Sequence, residues 1–211
     1  MKSIKRQYGR EFIRDTRDFT MTPRTTTRRR RSWQCQWQGD QGQEPSCVGF
    51  AWAGWLAASP VRQFVNPSGI YTLAQHLDEW EGVDYDGTSV RAGAKVLQRL
   101  GHVAEYRFAT SEPYVRTNVL EVGPVVLGVN WYAGMEQPDS TGLIEPTGKL
   151  LGGHAILVIG YLPGFYVLQQ SWGSSWGLEG RCRIADEHVQ RLLYEEGEAC
   201  LAVERKMKVP R

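Results

Sequence analysis

The sequence predicts an α+β fold, with helices gathered early in the chain and strands late. Three observations carry that expectation. The 211 residues are 41% hydrophobic and 23% charged, a balance that can bury one large core. Helical patterns crowd the stretch before Gly123-Pro124. Short β-rich runs follow that pair, and helices segregated from strands mark an α+β protein of two lobes. The same composition excludes collagen, coiled coil and wholesale disorder. No run approaches ~18 apolar residues, so no membrane span and no membrane partner is expected.

In chain order, residues 1–31 come first as a basic leader. They hold 11 Lys/Arg against 3 Asp/Glu, whereas the other 180 residues hold 14 against 20. The leader ends in Thr25-Thr26-Thr27-Arg28-Arg29-Arg30-Arg31, a run without apolar periodicity that predicts a solvated, partly flexible arm. Clustered arginines could meet a polyanion or a protein partner. Next, the polar run Asp40 to Ser46 leads into Cys47-Val48-Gly49-Phe50-Ala51-Trp52-Ala53-Gly54-Trp55-Leu56-Ala57-Ala58. That stretch is apolar on every side, which predicts a buried helix with Ser46 as its N-cap. Pro60 supports a stop soon after.

Two more helices are expected, over residues 68–80 and 88–100, the second closed by Gly101. A weaker one covers 114–120. Strands are expected at 125–129, 155–160, 165–168 and 180–184, with 201–203 as a last one.

Cys35, Cys47, Cys182 and Cys200 are too few and too scattered for a disulfide scaffold, and no C-x-x-C suggests zinc. Asp84-x-Asp86-Gly87 lacks the other ligand positions of a calcium loop. No metal and no cofactor is therefore expected. Cys47 stands out because a helix N-terminus favours a thiolate. His154 follows Gly152-Gly153 at the expected start of a strand, where it could project toward a cleft. His76, His102 and His188 have no such context.

The order of the blocks adds what neither residue carries alone. Gln41-Gly42-Gln43-Glu44-Pro45-Ser46-Cys47-Val48-Gly49-Phe50 is followed by His154-Ala155 through Gly160-Tyr161, then by Gln170-Ser171-Trp172-Gly173-Ser174-Ser175-Trp176-Gly177. Together they resemble the papain-like cysteine proteases, whose blocks are Q-G-x-x-G-S-C-x-A-F, H-A-x-x-x-x-G-Y and N-S-W-G-x-x-W-G. Asp86-Gly87-Thr88-Ser89 is similar to a segment of bacterial members.

The resemblance implies a two-lobed fold over residues 32–211, with a helical lobe at about 38–120 and a β-barrel-like lobe at about 121–211. It implies hydrolysis of peptide bonds in a peptide or protein substrate. Cys47 would be the nucleophile, His154 its base, and Gln41 an oxyanion donor. Trp172 would shield the His154 interaction, and Gly153 and Ser46 would border the site. Gln170 stands where the family carries the Asn that orients the imidazole. That change leaves two alternatives open: a catalytically impaired binding or assembly protein, and an acyltransferase using the same Cys–His chemistry.

Asp15-Thr16-Arg17-Asp18-Phe19 looks like the start of a mature bacterial domain, so no inhibitory propeptide is expected. Residues 20–37 look like an insertion. Met1 to Arg6 lead into no apolar signal region, and Glu44 replaces a disulfide cysteine of secreted members. Both point to the cytoplasm or another reducing compartment.

Overall fold

The computed structural model describes residues 6–15 and 25–204. Thr16 to Phe19 of the mature-start motif and residues 20–24 of the expected insertion lie outside them. The described elements are β1 (Arg10–Glu11), β2 (Arg31–Ser32), α1 (Cys47–Ala57), α2 (Pro67–Gln75), β3 (Thr88–Ser89), α3 (Val90–Arg99), β4 (Val103–Ala109), α4 (Glu112–Glu121), β5 (Val125–Tyr132), β6 (Leu150–Leu162), β7 (Phe165–Gln169), β8 (Arg181–Ala185), α5 (Asp186–Tyr194) and β9 (Glu198–Glu204).

The expected α+β class holds. Its β-rich part is an open sheet, in the order β4-β9-β5-β6-β7-β8 with β2 added to β6. The barrel-like closure expected from the resemblance is absent among the described residues, because β4 and β8 stand at opposite ends of that order. β5 and β6 lie at the centre and are buried on both faces, as a nearly continuous apolar run requires. The period of two splits their side chains between two cores. Val126, Ala155, Leu157 and Ile159 join α1, α2 and α3 in one cluster. Val125, Leu127, Val129, Ile156 and Val158 join Trp131, Trp172 and α5 in the other.

Local chemistry explains most helix ends. Asn66 caps α2 by accepting from the Ser68 N–H at 3.0 Å, and Pro67 takes the first helical position, where a missing N–H does no harm. α2 stops at Gln75, short of the expected Trp80. The chain beyond it folds back, with Asp78 accepting from Tyr85 and Thr88 at 2.6 Å each. Residues 88–89 form a short strand where a helix start was expected. Ser89 then caps α3 by accepting from the Ala92 N–H at 3.0 Å. Gly101 closes α3 with φ at +81°, a conformation that favours glycine.

Two expectations, one about α1 and one about β6, need correction. Ser46 does occupy the N-cap position, but its side chain makes no capping hydrogen bond and instead reaches Glu44 at 3.5 Å. His154 does not open its strand, since β6 already begins at Leu150. The sequence reading also missed β4 and α5. In α5 the signal was present: Val189, Leu192 and Leu193 are its buried face, at helical spacing.

Candidate active site

The helix α1 and the strand β6 bring Cys47 and His154 to one place. Cys47 begins α1, and its sulfur is met by backbone N–H groups of Ala155, Gly9 and Val48. These donors, with the positive Arg10 nearby, favour the thiolate, but complete burial outweighs them and pushes the thiol pKa up. The expected low-pKa thiol is therefore not what this arrangement holds. Cys47 and His154 are both 0% exposed.

His154 sits among rings. Trp172 stacks on it at 5.1 Å between centroids, Trp131 meets it edge-on at 4.9 Å, and Tyr8 meets it edge-on at 5.9 Å. This apolar enclosure lowers the imidazole pKa to about 4, with a smaller push from the Arg6 charge, against the favourable bond from Gln170. His154 Nε2 lies 2.7 Å from Gln170 Oε1, and the Ser171 N–H donates to the same oxygen at 3.1 Å. Two donors on one atom identify it as the amide oxygen. Nε2 must then carry the hydrogen, which leaves Nδ1 as the lone-pair nitrogen. Nδ1 and the Gln170 Nε2 have no hydrogen-bond partner among the described residues. Gln170 thus reaches the imidazole despite its extra methylene.

Gln41 is held beside them. Its backbone N–H donates to the Ser171 carbonyl at 2.8 Å, and its side-chain oxygen accepts from Ser171 Oγ at 2.5 Å. Its amide nitrogen donates to the Glu44 carbonyl at 2.6 Å and to the Gln7 carbonyl at 3.4 Å.

That last partner belongs to a feature the sequence reading missed. Residues 6–11 cross the site. Arg6 lies over the Trp172 ring at 4.0 Å, Tyr8 donates a hydrogen bond to Glu136, and the Gly9 carbonyl accepts from the Thr88 N–H at 2.8 Å. β1 runs parallel to β3. The fit depends on glycine: a Cβ on Gly9 would come within 1.7 Å of the Pro45 carbonyl oxygen, and one on Gly153 within 2.1 Å of the Arg10 carbonyl oxygen. Gly153 is thus a wall of the site because it must be small. At the far end, Asp15 pairs with Arg91 of α3 at 3.7 Å. The only hint in the sequence was the lone Gly9 in a charged run.

The Arg28–Arg31 run lies elsewhere. Arg31 pairs through β2 with Tyr161 of β6 and covers Trp33 at 4.2 Å, while Arg28 reaches Glu121 at 3.5 Å.

Comparison with known proteins decides the family. The model of papain family cysteine proteases matches residues 71–200. The chain belongs to the papain family of cysteine proteases. As a member of that family it is a thiol peptidase, a hydrolase acting on peptide or protein substrates. Among solved structures, xylellain, a cysteine protease from Xylella fastidiosa, superposes with a TM-score of 0.77 at 21% identity, over 96% of this chain and 98% of that one. Digestive procathepsin L 3 of Tenebrio molitor larval midgut gives 0.66 at 15% identity, over 95% and 76%. The bromelain protease of Ananas comosus, in complex with the E64 inhibitor, gives 0.62 at 13% identity, over 84% and 99%. No curated protein matches the sequence. At these identities the structures speak for the papain-like fold. The matched segment contains His154, Gln170 and Trp172 and begins after Gln41 and Cys47, so the residue roles rest on geometry. The four cysteines of this papain-family chain are free, and no helix among the described residues is long and apolar enough to cross a membrane.

Proposed function

We propose that Cys47, His154, Gln170 and Gln41 carry the peptidase chemistry. The observation behind this reading is the 2.7 Å bond from His154 Nε2 to Gln170 Oε1, which sets the tautomer a general base needs. In this scheme Nδ1 takes the Cys47 proton as the sulfur attacks a peptide carbonyl carbon. The resulting oxyanion accepts from the Cys47 N–H and from Gln41 Nε2, where each donor is worth about 3–4 kcal/mol of barrier. His154 returns the proton to the leaving amine nitrogen, giving a thioester. Water then attacks that thioester, its proton passing through His154 back to sulfur. Trp172 keeps water from the His154–Gln170 bond, while Gly153 and Ser46 border the reacting groups without taking part.

A substrate cannot reach Cys47 while residues 6–11 lie across it. The chain there presents the Gly9 N–H to sulfur. Turnover requires the segment to lift, whereupon the thiol loses the burial that holds its pKa up. A reducing compartment, where four free thiols persist, is the location we propose.

An epoxide-type thiol-protease inhibitor and a set of fluorogenic peptides test this scheme. Labelling confined to Cys47, with turnover abolished by it, is the expected outcome. Labelling no faster than that of a free thiol, with no turnover in variants whose segment is loosened, would leave a papain-fold binding protein in its place. Transfer of the acyl group to added amines in preference to water would mark an acyltransferase.

A further inference from the structure

The basic run that the active site leaves unused lines a groove of its own. About 580 Å³ in volume, it lies between the segment carrying Arg28 and Arg29, the helix α4 and the turn after β6. Tyr161, on its wall, stands seven residues beyond His154 along β6, roughly 20 Å of extended chain from the imidazole. The groove is therefore separate from the cleft that holds Cys47.

Three arginines line it, Arg28, Arg29 and Arg116, and among the described residues no carboxylate does. Acids stand behind two of the three and fix their direction. Arg28 Nε lies 3.5 Å from Glu121 Oε2, and its Nη1 donates to the Leu120 carbonyl at 3.3 Å. Arg116 Nη2 lies 3.6 Å from Glu112 Oε2. Arg29 is exposed and makes no ion pair with a described residue. A guanidinium carries five N–H donors, so each of the three keeps donors for a guest.

Arginine by itself suits phosphate and carboxylate equally, since both accept from its planar fork. The rest of the wall decides between them. Pro113, Leu120 and Pro163 give the groove apolar faces. The Gly164 N–H, a backbone donor at the turn, already donates to Tyr161 Oη at 3.3 Å, whereas phosphate sites draw on free backbone N–H groups. An oligophosphate would leave the apolar faces in water. A peptide with acidic side chains around an apolar one uses both the guanidiniums and the apolar faces.

We propose that this groove is an exosite for an acidic stretch of a protein substrate, one in which an apolar residue stands among the acids. A protein substrate is the polypeptide that a papain-family peptidase must meet, and about six extended residues span the ~20 Å back to the imidazole. Docking there takes no part in bond breaking.

Two measurements test the exosite, and the first needs no turnover. In fluorescence polarisation on the full chain carrying C47A, fluorescein-labelled Glu-Glu-Leu-Glu-Glu should bind saturably. R29E, a change at an exposed side chain, should weaken binding about tenfold, and R116Q should weaken it as well. R99E makes the same charge change on α3, outside the groove, and should alter binding by less than about twofold. Gly in place of the peptide's Leu should cost about threefold in affinity. Absence of saturable binding, an equal loss in R99E and R29E, or indifference to the Leu-to-Gly change overturns the proposal. So does displacement of the probe by inorganic tripolyphosphate at lower concentration than by unlabelled peptide.

The second measurement joins the same five residues to a fluorogenic peptide through a flexible linker of about 20 residues. With R6A/Y8A to loosen the crossing segment, the acidic extension should lower KM and leave kcat unchanged, and R29E should remove that gain. A KM indifferent to the extension, with binding intact, overturns the substrate as occupant in favour of a separate acidic partner. Binding that depends on Arg29, without turnover of any peptide, would support the groove and sink the catalytic assignment instead.

Discussion

Cys47 and His154 are equally buried, yet their enclosures are made of different things. Around His154 the enclosure is mostly side chains of the folded body: Trp131, Trp172 and the Gln170 amide, with Tyr8 closing one edge. Around Cys47, one of the closing groups is the Gly9 backbone from the crossing segment. One half of the site is therefore built in, and the other half is partly removable. Burial currently dominates both, raising the thiol pKa and lowering that of the imidazole. Such a pair is neutral as it stands, and the proposed chemistry would need the crossing segment to leave before an ion pair could form.

The largest expected effect removes one member of the pair. C47A should lower kcat on a fluorogenic peptide by on the order of 10⁴–10⁶-fold, and H154A by a similar factor, with the double variant no worse than either. Strict additivity would break the comparison, because two halves of one machine cannot fail independently. Circular dichroism at pH 7 should show both variants folded.

Acid stability comes next. His154 is held neutral with a pKa of about 4, against an ordinary value near 6.5. Between those values the unfolded chain binds the proton and the folded chain does not. Stability is therefore full above pH 6.5 and is lost as pH falls toward 4. The loss assigned to this group is about 3 kcal/mol. Urea unfolding of wild type and H154Q at pH 7 and pH 4 isolates it, since other groups titrate alike in both. A difference that stays constant with pH would mean that water already reaches the imidazole.

Opening the removable half should matter somewhat less. Y8A deletes the ring against His154 and the hydrogen bond to Glu136. Alkylation of Cys47 by iodoacetamide at pH 7 should rise at least tenfold, on the order of a drop of one or more pKa units in the thiol. Its pH profile should move to lower pH. An unchanged rate would mean that the crossing segment does not limit access.

How far the sequence foretold this arrangement depended on the type of interaction. Short blocks with chemistry in them were legible: Gln41, Cys47, His154 and Gln170 were each placed by motif, and the structure brings them together. The buried helix was legible too, since Trp52 and Trp55 leave it no polar face. Contacts that depend on closing a long loop were not. Trp131 approaches His154 through the β5–β6 register, which pairs Val129 with His154 and puts the indole two residues on. Tyr8 and Arg10 reach His154 and its neighbour Gly153 from more than a hundred residues away in sequence, in a charged stretch with no periodicity. The close passage of this segment relies on glycines such as Gly9 and Gly153, whose role is visible only once the backbone passes over them. β4 was missed for a related reason: four of its seven residues are not buried, so the apolar signal was thin.

The smallest expected effect concerns the residue that departs from the family pattern. Asn in place of Gln170 would restore the usual residue type but shorten the side chain by one methylene, roughly 1.5 Å of reach. The present oxygen already lies at 2.7 Å from His154 Nε2 and also accepts from the Ser171 N–H. Unless the backbone follows, Q170N would pull its oxygen away from the ring and loosen the tautomer it sets. We expect kcat to fall by about tenfold, roughly 1.4 kcal/mol of barrier, with KM little changed because Gln170 meets the imidazole and not the substrate. A rise in kcat instead would mean that the native amide holds the imidazole too firmly for proton transfer, and that the built-in half of the site, not the removable one, limits the enzyme.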